Sequence, residues 1–352
     1  MLEVVAPRQR LRTSAISGIF RLAHLSDPHL PLPVPALRHL TLKQVMARAS
    51  WRRKRGRTHG GRTLELLLGD IRGMQPDHLV VTGDITNLGS KGESLAAIPW
   101  LEALGSPDAV SLVPGNHDRL VPAADAGCRD WQRWTTGDDG RAGWPFRRDR
   151  GPVALIGLDS AVATPPGMAS GRVGERQIDA LEVMLSAAGR AGMFRAVLIH
   201  HPPILGPGGH RKALTDRAAL AACLQRSGAE LVLHGHHHAG RLRFLQGPHG
   251  VTTVSGVPSA SAGAGAREAA GWHLHSIARR PGGWWIATEA RRVDHEAGAM
   301  RVAGRWEMFL PSAAAGDLAA GAHAAATASA AKAPETPPAL PFPAAPGAQP
   351  AS

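Results

Sequence analysis

Short apolar runs alternate with stretches of helical periodicity along most of this chain. The runs lie at residues 19–25, 78–82, 109–113, 153–158, 196–199 and 231–233. Short runs that do not alternate with polar residues are typical of strands buried on both faces. Helical spacing of leucine and isoleucine marks residues 37–55, 63–74, 94–104, 175–188 and 215–225, the last with Thr215 or Asp216 as its predicted cap. The repeated order of strand, loop and helix predicts an α/β fold.

The pattern changes toward the end of the chain. Four further strands are predicted, with no helix between them, at residues 251–255, 272–277, 284–290 and 305–309. Strands that follow one another without a helix are joined as hairpins and run antiparallel. We therefore expect sheets of mixed strand direction.

One folded domain is predicted over residues 19–310, after an N-terminal extension at 1–18. A basic insert occupies about residues 31–62 of that domain. From residue 311 to 352 the composition changes to alanine, proline, glycine, serine and threonine. Such a segment lacks the apolar surface needed to offset its chain entropy, so we expect a disordered tail.

Composition narrows the class of protein. The chain has only Cys128 and Cys223, which form no CxxC pair, so a disulfide framework or a structural zinc knuckle is not expected. We find no signal-peptide pattern near the N-terminus and no apolar run of membrane-spanning length. These features predict a cytoplasmic protein, with peripheral contact to the inner face of the membrane as an open alternative.

The net charge of +12 favours polyanionic partners, although an arginine-rich genomic composition would produce the same charge. It is concentrated in the segment 48–62, which contains no acid and includes Trp51. Its basic residues are Arg48, Arg52, Arg53, Lys54, Arg55, Arg57 and Arg62. Three interpretations stay open: a solvated helix surface, docking to an anionic membrane, and, less favoured, nucleic-acid binding.

Five short polar phrases each follow an apolar run. They are Asp27-Pro28-His29, Gly83-Asp84, Gly115-Asn116-His117-Asp118, His200-His201-Pro202 and Gly235-His236-His237-His238. In α/β sheets the loops at the carboxyl ends of the strands converge on one rim, so these residues can meet in one pocket. We expect a metal site there.

The donors in these phrases are oxygen and imidazole, with no thiolate. That set suits two divalent ions chosen from Mn, Fe, Zn, Co or Ni. Asp84 is the natural bridging carboxylate, Asn116 can offer an amide oxygen, and His236 and His238 point the same way in an extended segment. Two adjacent cations can activate water and stabilise charge during hydrolysis of a phosphate ester.

The series DxH, GD, GNHD, HHPP and GHxH resembles the calcineurin-like metallophosphoesterases over about residues 19–309. The segment 80–87, VVTGDITN, looks most like the bacterial phosphodiesterase branch that includes class III cyclic-nucleotide enzymes. The resemblance implies a four-layer α/β/β/α sandwich of two mixed sheets. It also implies a dinuclear metal site at the carboxyl ends of the strands.

The resemblance further implies a role for each polar residue. One metal would be held by Asp27, His29, Asp84 and His238, and the other by Asp84, Asn116, His200 and His236. His117 would be the catalytic residue, stabilising the transition state or protonating the leaving oxygen. In some branches an acid stands where this chain has Asn87, which leaves the support of His117 open.

The expected function is hydrolysis of a phosphate ester, most simply a phosphodiester, by attack of a metal-bridging hydroxide. One alternative is a pyrophosphatase acting on a nucleotide-linked lipid at the membrane surface. Another is a scaffold of the same fold that does not catalyse. The phosphate-ester substrate is the expected partner in both enzymatic interpretations.

Other residues carry weaker expectations. We expect His24, His78 and His234 to be packed within the fold rather than to bind metal. Substrate contact is left open for His201, His237, Arg119 and the group His210-Arg211-Lys212. The tryptophans Trp131, Trp134 and Trp144 belong either to a lid or, more simply, to ordinary packing.

Overall fold

The computed structural model of the chain describes residues 18–31, 40–50, 61–122, 128–206 and 208–312. The extension at 1–17 and the tail at 313–352 lie outside the described residues. So does most of the basic insert, including Trp51 and the run Arg52 to Arg55. The expectations for those segments therefore stay predictions.

The first sheet has six strands in the order β12-β11-β10-β1-β2-β3. The strands are β1 (Ile19–Leu25), β2 (His78–Val81), β3 (Val110–Leu112), β10 (Gly271–Arg280), β11 (Gly283–Asp294) and β12 (Ala299–Pro311). Strands β1, β2 and β3 run parallel, whereas β10, β11 and β12 form the predicted hairpins, and β10 pairs antiparallel with β1.

The second sheet also has six strands, in the order β4-β5-β6-β7-β9-β8. They are β4 (Phe146–Arg150), β5 (Val153–Gly157), β6 (Phe194–Leu198), β7 (Leu231–His234), β8 (Arg241–Gly247) and β9 (Gly250–Gly256). Strands β5, β6, β7 and β9 are parallel, and β4 and β8 are antiparallel edges. These two edges were not predicted because charged residues interrupt their apolar pattern, as is common at exposed sheet edges.

Most of the described helices lie on the outer faces of the two sheets. The described helices are α1 (Leu42–Ser50), α2 (Gly61–Met74), α3 (Lys91–Leu104), α4 (Gln132–Thr135), α5 (Glu175–Arg190) and α6 (Arg217–Ser227), with short 3-10 turns at Arg129–Trp131 and Gly209–Arg211. Leucines of α2 and α3 pack on the first sheet, and those of α5 and α6 pack on the second. A third core lies between the two sheets. The predicted four-layer α/β/β/α sandwich is therefore confirmed.

Two helices begin differently from the prediction because of local polar contacts. Helix α3 begins three residues early, because Ser90 and Glu93 form a reciprocal capping box. Asp216 stands at the cap of α6 but makes no side-chain bond to that helix. Its carboxylate instead accepts hydrogen bonds from the backbone of Val173 and Gly174. The predicted capping by Thr215 or Asp216 was wrong because a neighbouring loop takes up the aspartate.

The tryptophans of the central segment are mainly core residues. Trp131 and Trp134 are fully buried in the outer core of the first sheet. Trp144 is half-buried and contacts the ring of Phe146. These contacts support the packing interpretation. Within the described part of the chain, no helix is both long and apolar enough to cross a membrane.

Candidate metal centre

Two rims of the sandwich come together at this site. The first rim is formed by the loops that follow β1, β2 and β3, and it carries Asp27, His29, Asp84, Asn116 and His117. The second rim is formed by the loops that follow β5, β6 and β7, and it carries Asp159, His200, His201, His236 and His238. The placement at strand ends is the one that the apolar runs predicted.

Five of the expected metal ligands have left-handed backbone conformations. The φ angles are 53° at Asp27, 40° at His29, 54° at Asp84, 70° at His236 and 51° at His238. A side chain at such an angle costs of the order of 1–3 kcal/mol and persists only where the surroundings enforce it. The strain is concentrated in the loops that aim these donors.

Glycines allow the loops to approach one another. A Cβ on Gly115 would lie 2.2 Å from Asp84 Oδ1, and one on Gly235 would lie 1.9 Å from Ser26 Oγ. Gly83 has a φ of 89°, and its backbone lies directly against that of Gly115. The glycines of the GD, GNHD and GHxH phrases are therefore needed for close contact between loops.

The first cluster consists of Asp27, His29, Asp84 and His238, whose donor atoms lie within 4.8 Å of one another. His29 Nε2 is 3.3 Å from His238 Nε2 and 3.8 Å from Asp84 Oδ2. Asp27 Oδ1 is buried, and His238 Nε2 lies 3.0 Å away. Two carboxylates and two imidazoles thus converge on one point.

The second cluster consists of His200, His201 and His236, again with donor atoms within 4.8 Å of one another. Asn116 joins it, because its Oδ1 lies 3.2 Å from His200 Nε2. Asp84 Oδ2 is 3.6 Å from the same His200 nitrogen. The carboxylate of Asp84 therefore lies between the two clusters, where a bridging ligand would have to be.

Main-chain carbonyls fix the ring orientation of three histidines at the site. His29 Nδ1 lies 3.2 Å from Thr86 O, His200 Nδ1 lies 2.7 Å from Thr82 O, and His236 Nε2 lies 3.0 Å from Lys212 O. A carbonyl oxygen can only accept a hydrogen bond, so each of these ring nitrogens carries the proton. The other nitrogen of each ring is then left with a lone pair, which is the form that binds a metal.

With the protons placed in this way, several short contacts join two hydrogen-bond acceptors. His200 Nε2, without a proton, faces the acceptor Asn116 Oδ1 at 3.2 Å. His29 Nε2 likewise faces the carboxylate of Asp84. Acceptors that point at one another in a buried site are stabilised by a cation placed among them. The donor set therefore fits two divalent ions.

The surroundings shift the pKa values of His236 and Asp27 toward the forms that bind a metal. Burial lowers the pKa of His236 well below the usual range, and the neighbouring imidazoles of His201 and His200 lower it further. Burial alone would raise the pKa of Asp27, but the adjacent His238 outweighs it and keeps that pKa low. Neutral imidazole and ionised carboxylate are the forms that coordinate a metal.

His117 is held by two hydrogen bonds, one from its ring and one from its backbone N–H. Its Nδ1 donates to Asn87 O at 2.7 Å, and its main-chain N–H donates to Asp84 Oδ1 at 2.7 Å. The side-chain amide of Asn87 donates instead to Leu30 O. Position 87 thus orients His117 through its carbonyl, which any residue type would supply, and this explains how the motif tolerates an asparagine there.

Asp118 does not take the place of the missing acid. Its carboxylate accepts hydrogen bonds from the backbone and hydroxyl of Thr86 and from the backbone of Gly115. Burial raises its pKa, although these bonds oppose the shift. Asp118 therefore ties two loops of the first rim together.

The structure also locates the residues whose roles were left open. His201 is fully buried, lies in the second cluster, and contacts Ser160 Oγ through Nδ1 at 2.9 Å. This placement was not predicted, because side chains alternate faces along an extended backbone and His201 directly follows the expected ligand His200. Arg119 forms an ion pair of 2.7 Å with Asp159. The backbone carbonyl of Lys212 contacts His236, and the charge of the lysine is among the causes that lower the pKa of that histidine.

The histidines expected to be packed within the fold are buried. His24 Nε2 lies 2.9 Å from Thr82 Oγ1, and His78 Nε2 lies 2.9 Å from Ser111 Oγ. His234 Nδ1 lies 3.0 Å from Gly235 O, and burial lowers the pKa of His234 to about 4. None of the three is among the clustered metal donors of the described residues.

Comparison with known proteins now adds the family. The model of the family described as calcineurin-like phosphoesterase matches residues 20–240. The chain belongs to this family. Its members are hydrolases that act on phosphate esters and use a dinuclear centre of divalent metals, for which the candidate aspartate and histidine donors are present in this chain.

Individual relatives have related names. A probable cyclic nucleotide phosphodiesterase of Synechococcus is 28% identical over 223 residues, which is 62% of this chain and 78% of that protein. The glycerophosphodiester phosphodiesterase GpdQ of Enterobacter lignolyticus is 35% identical over 137 residues, 37% of this chain and 43% of that protein. The match thus spans less than half the length of GpdQ.

A purple acid phosphatase from yellow lupin, Lupinus luteus, has a similar fold. The superposition gives a TM-score of 0.55 at 14% identity and covers 83% of this chain and 54% of the lupin chain. At that level of identity the likeness supports the fold alone.

Proposed function

We propose that this chain hydrolyses a phosphodiester with two divalent cations. Asp27, His29, Asp84 and His238 would hold one cation, and Asp84, Asn116, His200 and His236 the other. When bound, such a pair of ions lowers the pKa of water and neutralises charge on the phosphoryl oxygens. The proposal is supported chiefly by the three histidines whose second ring nitrogen is fixed by a backbone carbonyl.

In this proposal His117 acts on the leaving oxygen. Its Nδ1 proton is engaged by Asn87 O, so we assign proton exchange with substrate to Nε2. The bond from its backbone N–H to Asp84 Oδ1 holds the ring at a fixed distance from the shared carboxylate. A positioned imidazole is well suited to protonate an alkoxide as it departs.

The names of the relatives support a diester over a monoester. Two relatives from different bacteria are named for cleavage of phosphodiesters, one cyclic and one glycerol-linked. We therefore expect this chain to prefer a substrate with two ester bonds at phosphorus. Which alcohol it releases is a question for direct assay.

The test is a substrate panel with purified protein loaded with Mn²⁺, Fe²⁺, Zn²⁺, Co²⁺ or Ni²⁺. It compares cyclic nucleotides, glycerophosphodiesters, p-nitrophenyl phosphate and a nucleotide-linked pyrophosphate. We expect diester turnover to exceed monoester turnover at matched metal occupancy. Turnover of the pyrophosphate alone would overturn the diester proposal, and no turnover with any metal bound would overturn catalysis altogether.

A further inference from the structure

Helix α1 has its apolar residues on the side that faces solvent. Leu42, Val45, Met46 and Ala49 recur at the spacing of one helical face, and all four are exposed, Leu42 to 71%. Gln44, on the opposite side, is buried at 6% exposure. A surface helix of a globular protein normally has the reverse arrangement, with its apolar stripe toward the core.

Polar anchors hold α1 in this orientation. Gln44 Nε2 donates to Leu88 O at 3.0 Å, and Lys43 Nζ donates to Thr164 Oγ1 at 2.9 Å and to its carbonyl. Burial lowers the pKa of Lys43. Because these bonds engage the polar side, the apolar stripe stays exposed in the folded chain.

The anchors also place α1 beside the candidate metal centre. Leu88 follows Asn87, whose carbonyl holds His117. Thr164 belongs to the loop that follows β5 on the second rim. The helix therefore bridges the two rims, and whatever covers its exposed stripe lies next to the site.

The charge of the surrounding sequence narrows the choice of occupant. No aspartate or glutamate occurs between Asp27 and Glu65. The same interval contains nine cationic residues, which are Arg38, Lys43, Arg48, Arg52, Arg53, Lys54, Arg55, Arg57 and Arg62. An apolar stripe within a strongly positive segment matches a partner that is negative at its surface and apolar beneath it.

A second copy of the chain matches this face poorly. A symmetric dimer through α1 would bring together two copies of a helix that carries Lys43 and Arg48 and no acidic residue, and like charges at an interface oppose association. A nucleic acid would satisfy the charge but would leave the apolar stripe in water. A bilayer with anionic headgroups satisfies both features.

We propose that the stripe formed by Leu42, Val45, Met46 and Ala49 docks on an anionic lipid bilayer. Docking would place the candidate metal centre at the lipid surface, where phosphodiester headgroups are presented. Only the statement about headgroups rests on the proposed phosphodiesterase function. Docking itself is an independent property of α1.

The experiment measures co-sedimentation of the full chain with vesicles of phosphatidylglycerol and phosphatidylcholine, and with vesicles of phosphatidylcholine alone. The test variant is Leu42→Gln with Val45→Gln and Met46→Gln. The matched control is Leu95→Gln with Val183→Gln, which changes exposed apolar residues of α3 and α5. All five positions lie outside the candidate catalytic machinery.

We expect the anionic vesicles to sediment the wild type and the control equally well. The test variant should partition about tenfold more weakly, because it loses apolar area that inserts at the interface. Added salt should weaken wild-type binding by screening, and vesicles without anionic lipid should bind little.

Wild-type levels of vesicle binding by the test variant would overturn the proposal, as would absence of binding by the wild type. A wild-type dimer that the test variant converts to monomer would assign the stripe to a second copy instead. Turnover of soluble bis-p-nitrophenyl phosphate keeps the two proposals apart. Docking without turnover under any metal condition contradicts the catalytic proposal alone, and turnover without docking contradicts the membrane proposal alone.

Discussion

The two rims bring different chemistry to the same site. The first rim supplies every oxygen donor among the proposed ligands, Asp27, Asp84 and Asn116, together with His29. The second rim supplies only imidazoles, those of His200, His236 and His238. Asp159, a carboxylate that also lies on the second rim, is engaged by Arg119 at 2.7 Å.

The first rim therefore supplies the charge that attracts the cations, and the second rim completes their coordination. The negative charge that draws a cation comes from two buried aspartates on one sheet, whereas the other sheet contributes imidazoles. The carboxylate of Asp84 approaches side-chain donors of both clusters. We therefore expect substitutions on the first rim to change how much metal binds. Substitutions on the second rim should mainly change the difference in affinity between the two cations.

The largest effect is expected for Asp84→Asn. The amide keeps the shape of the side chain but removes the charge shared by the two clusters, so turnover should fall about a thousandfold or more. Elemental analysis should find the metal content reduced from two ions per chain toward one. Asp159→Asn is the control, since it changes a carboxylate of the second rim that is not a proposed ligand.

Wild-type turnover of bis-p-nitrophenyl phosphate by Asp84→Asn would contradict the shared-ligand assignment. Equal loss of metal in the Asp159→Asn variant would contradict the assignment of the metal-attracting charge to the first rim.

A smaller loss is expected for His117→Gln, on the order of a hundredfold to a thousandfold in kcat. His117 belongs to the first rim but is proposed to act on substrate, so metal content should stay at the wild-type value. The rate loss should shrink for p-nitrophenyl esters, whose leaving group needs little protonation. An equal loss for good and poor leaving groups would argue against proton transfer by His117.

Stepwise chelation should distinguish the two cations. The ion held mainly by Asn116, His200 and His236 has fewer negative ligands, so we expect it to leave at about tenfold lower EDTA than the other. Metal content measured along the titration should show two steps. A single step that removes both ions would contradict the unequal division of charge between the rims.

The smallest effect on the metal centre is expected for a histidine away from either rim. Burial lowers the pKa of His275 to about 3, against an ordinary value of 6.5. The contribution to stability is complete above pH 6.5 and is lost as the pH falls from there toward 3, because only the unfolded chain takes up the proton. The slope is up to about 1.4 kcal/mol per pH unit.

His275→Asn keeps a side chain able to reach Thr288, which now lies 2.8 Å from His275 Nδ1. Its unfolding free energy should depend less steeply on pH between 6.5 and 4 than that of the wild type. Denaturant unfolding at several pH values measures this. Identical slopes would show that His275 is not the titrating group, while the rims and their metal content should be unaffected in either case.

The sequence predicted those parts of the structure that depend on local pattern. Apolar runs gave the central strands, and a polar phrase after each run gave the rim on which the site lies. The glycines at positions 83, 115 and 235 were visible as parts of motifs, although their close contacts with neighbouring loops were not. The edge strands β4 and β8 escaped notice because their charged residues hide the alternation.

Contacts between distant segments could not be predicted in this way. The support of His117 comes from a backbone carbonyl at position 87, which no side-chain identity reveals. Asp216 was assigned to its own helix because nothing in the sequence shows that the loop at Val173 lies nearer. His201 entered the second cluster through the packing of its ring against that of His236, with centroids 4.4 Å apart.

The order of the two rims along the chain has a consequence for biosynthesis. All the oxygen ligands lie at or before Asn116, and the second rim's ligands begin only at His200. A nascent chain therefore presents its aspartates to the cell before the imidazoles that complete their coordination have left the ribosome. Final selection of the ions must wait until the later strands have been translated and have joined the earlier ones.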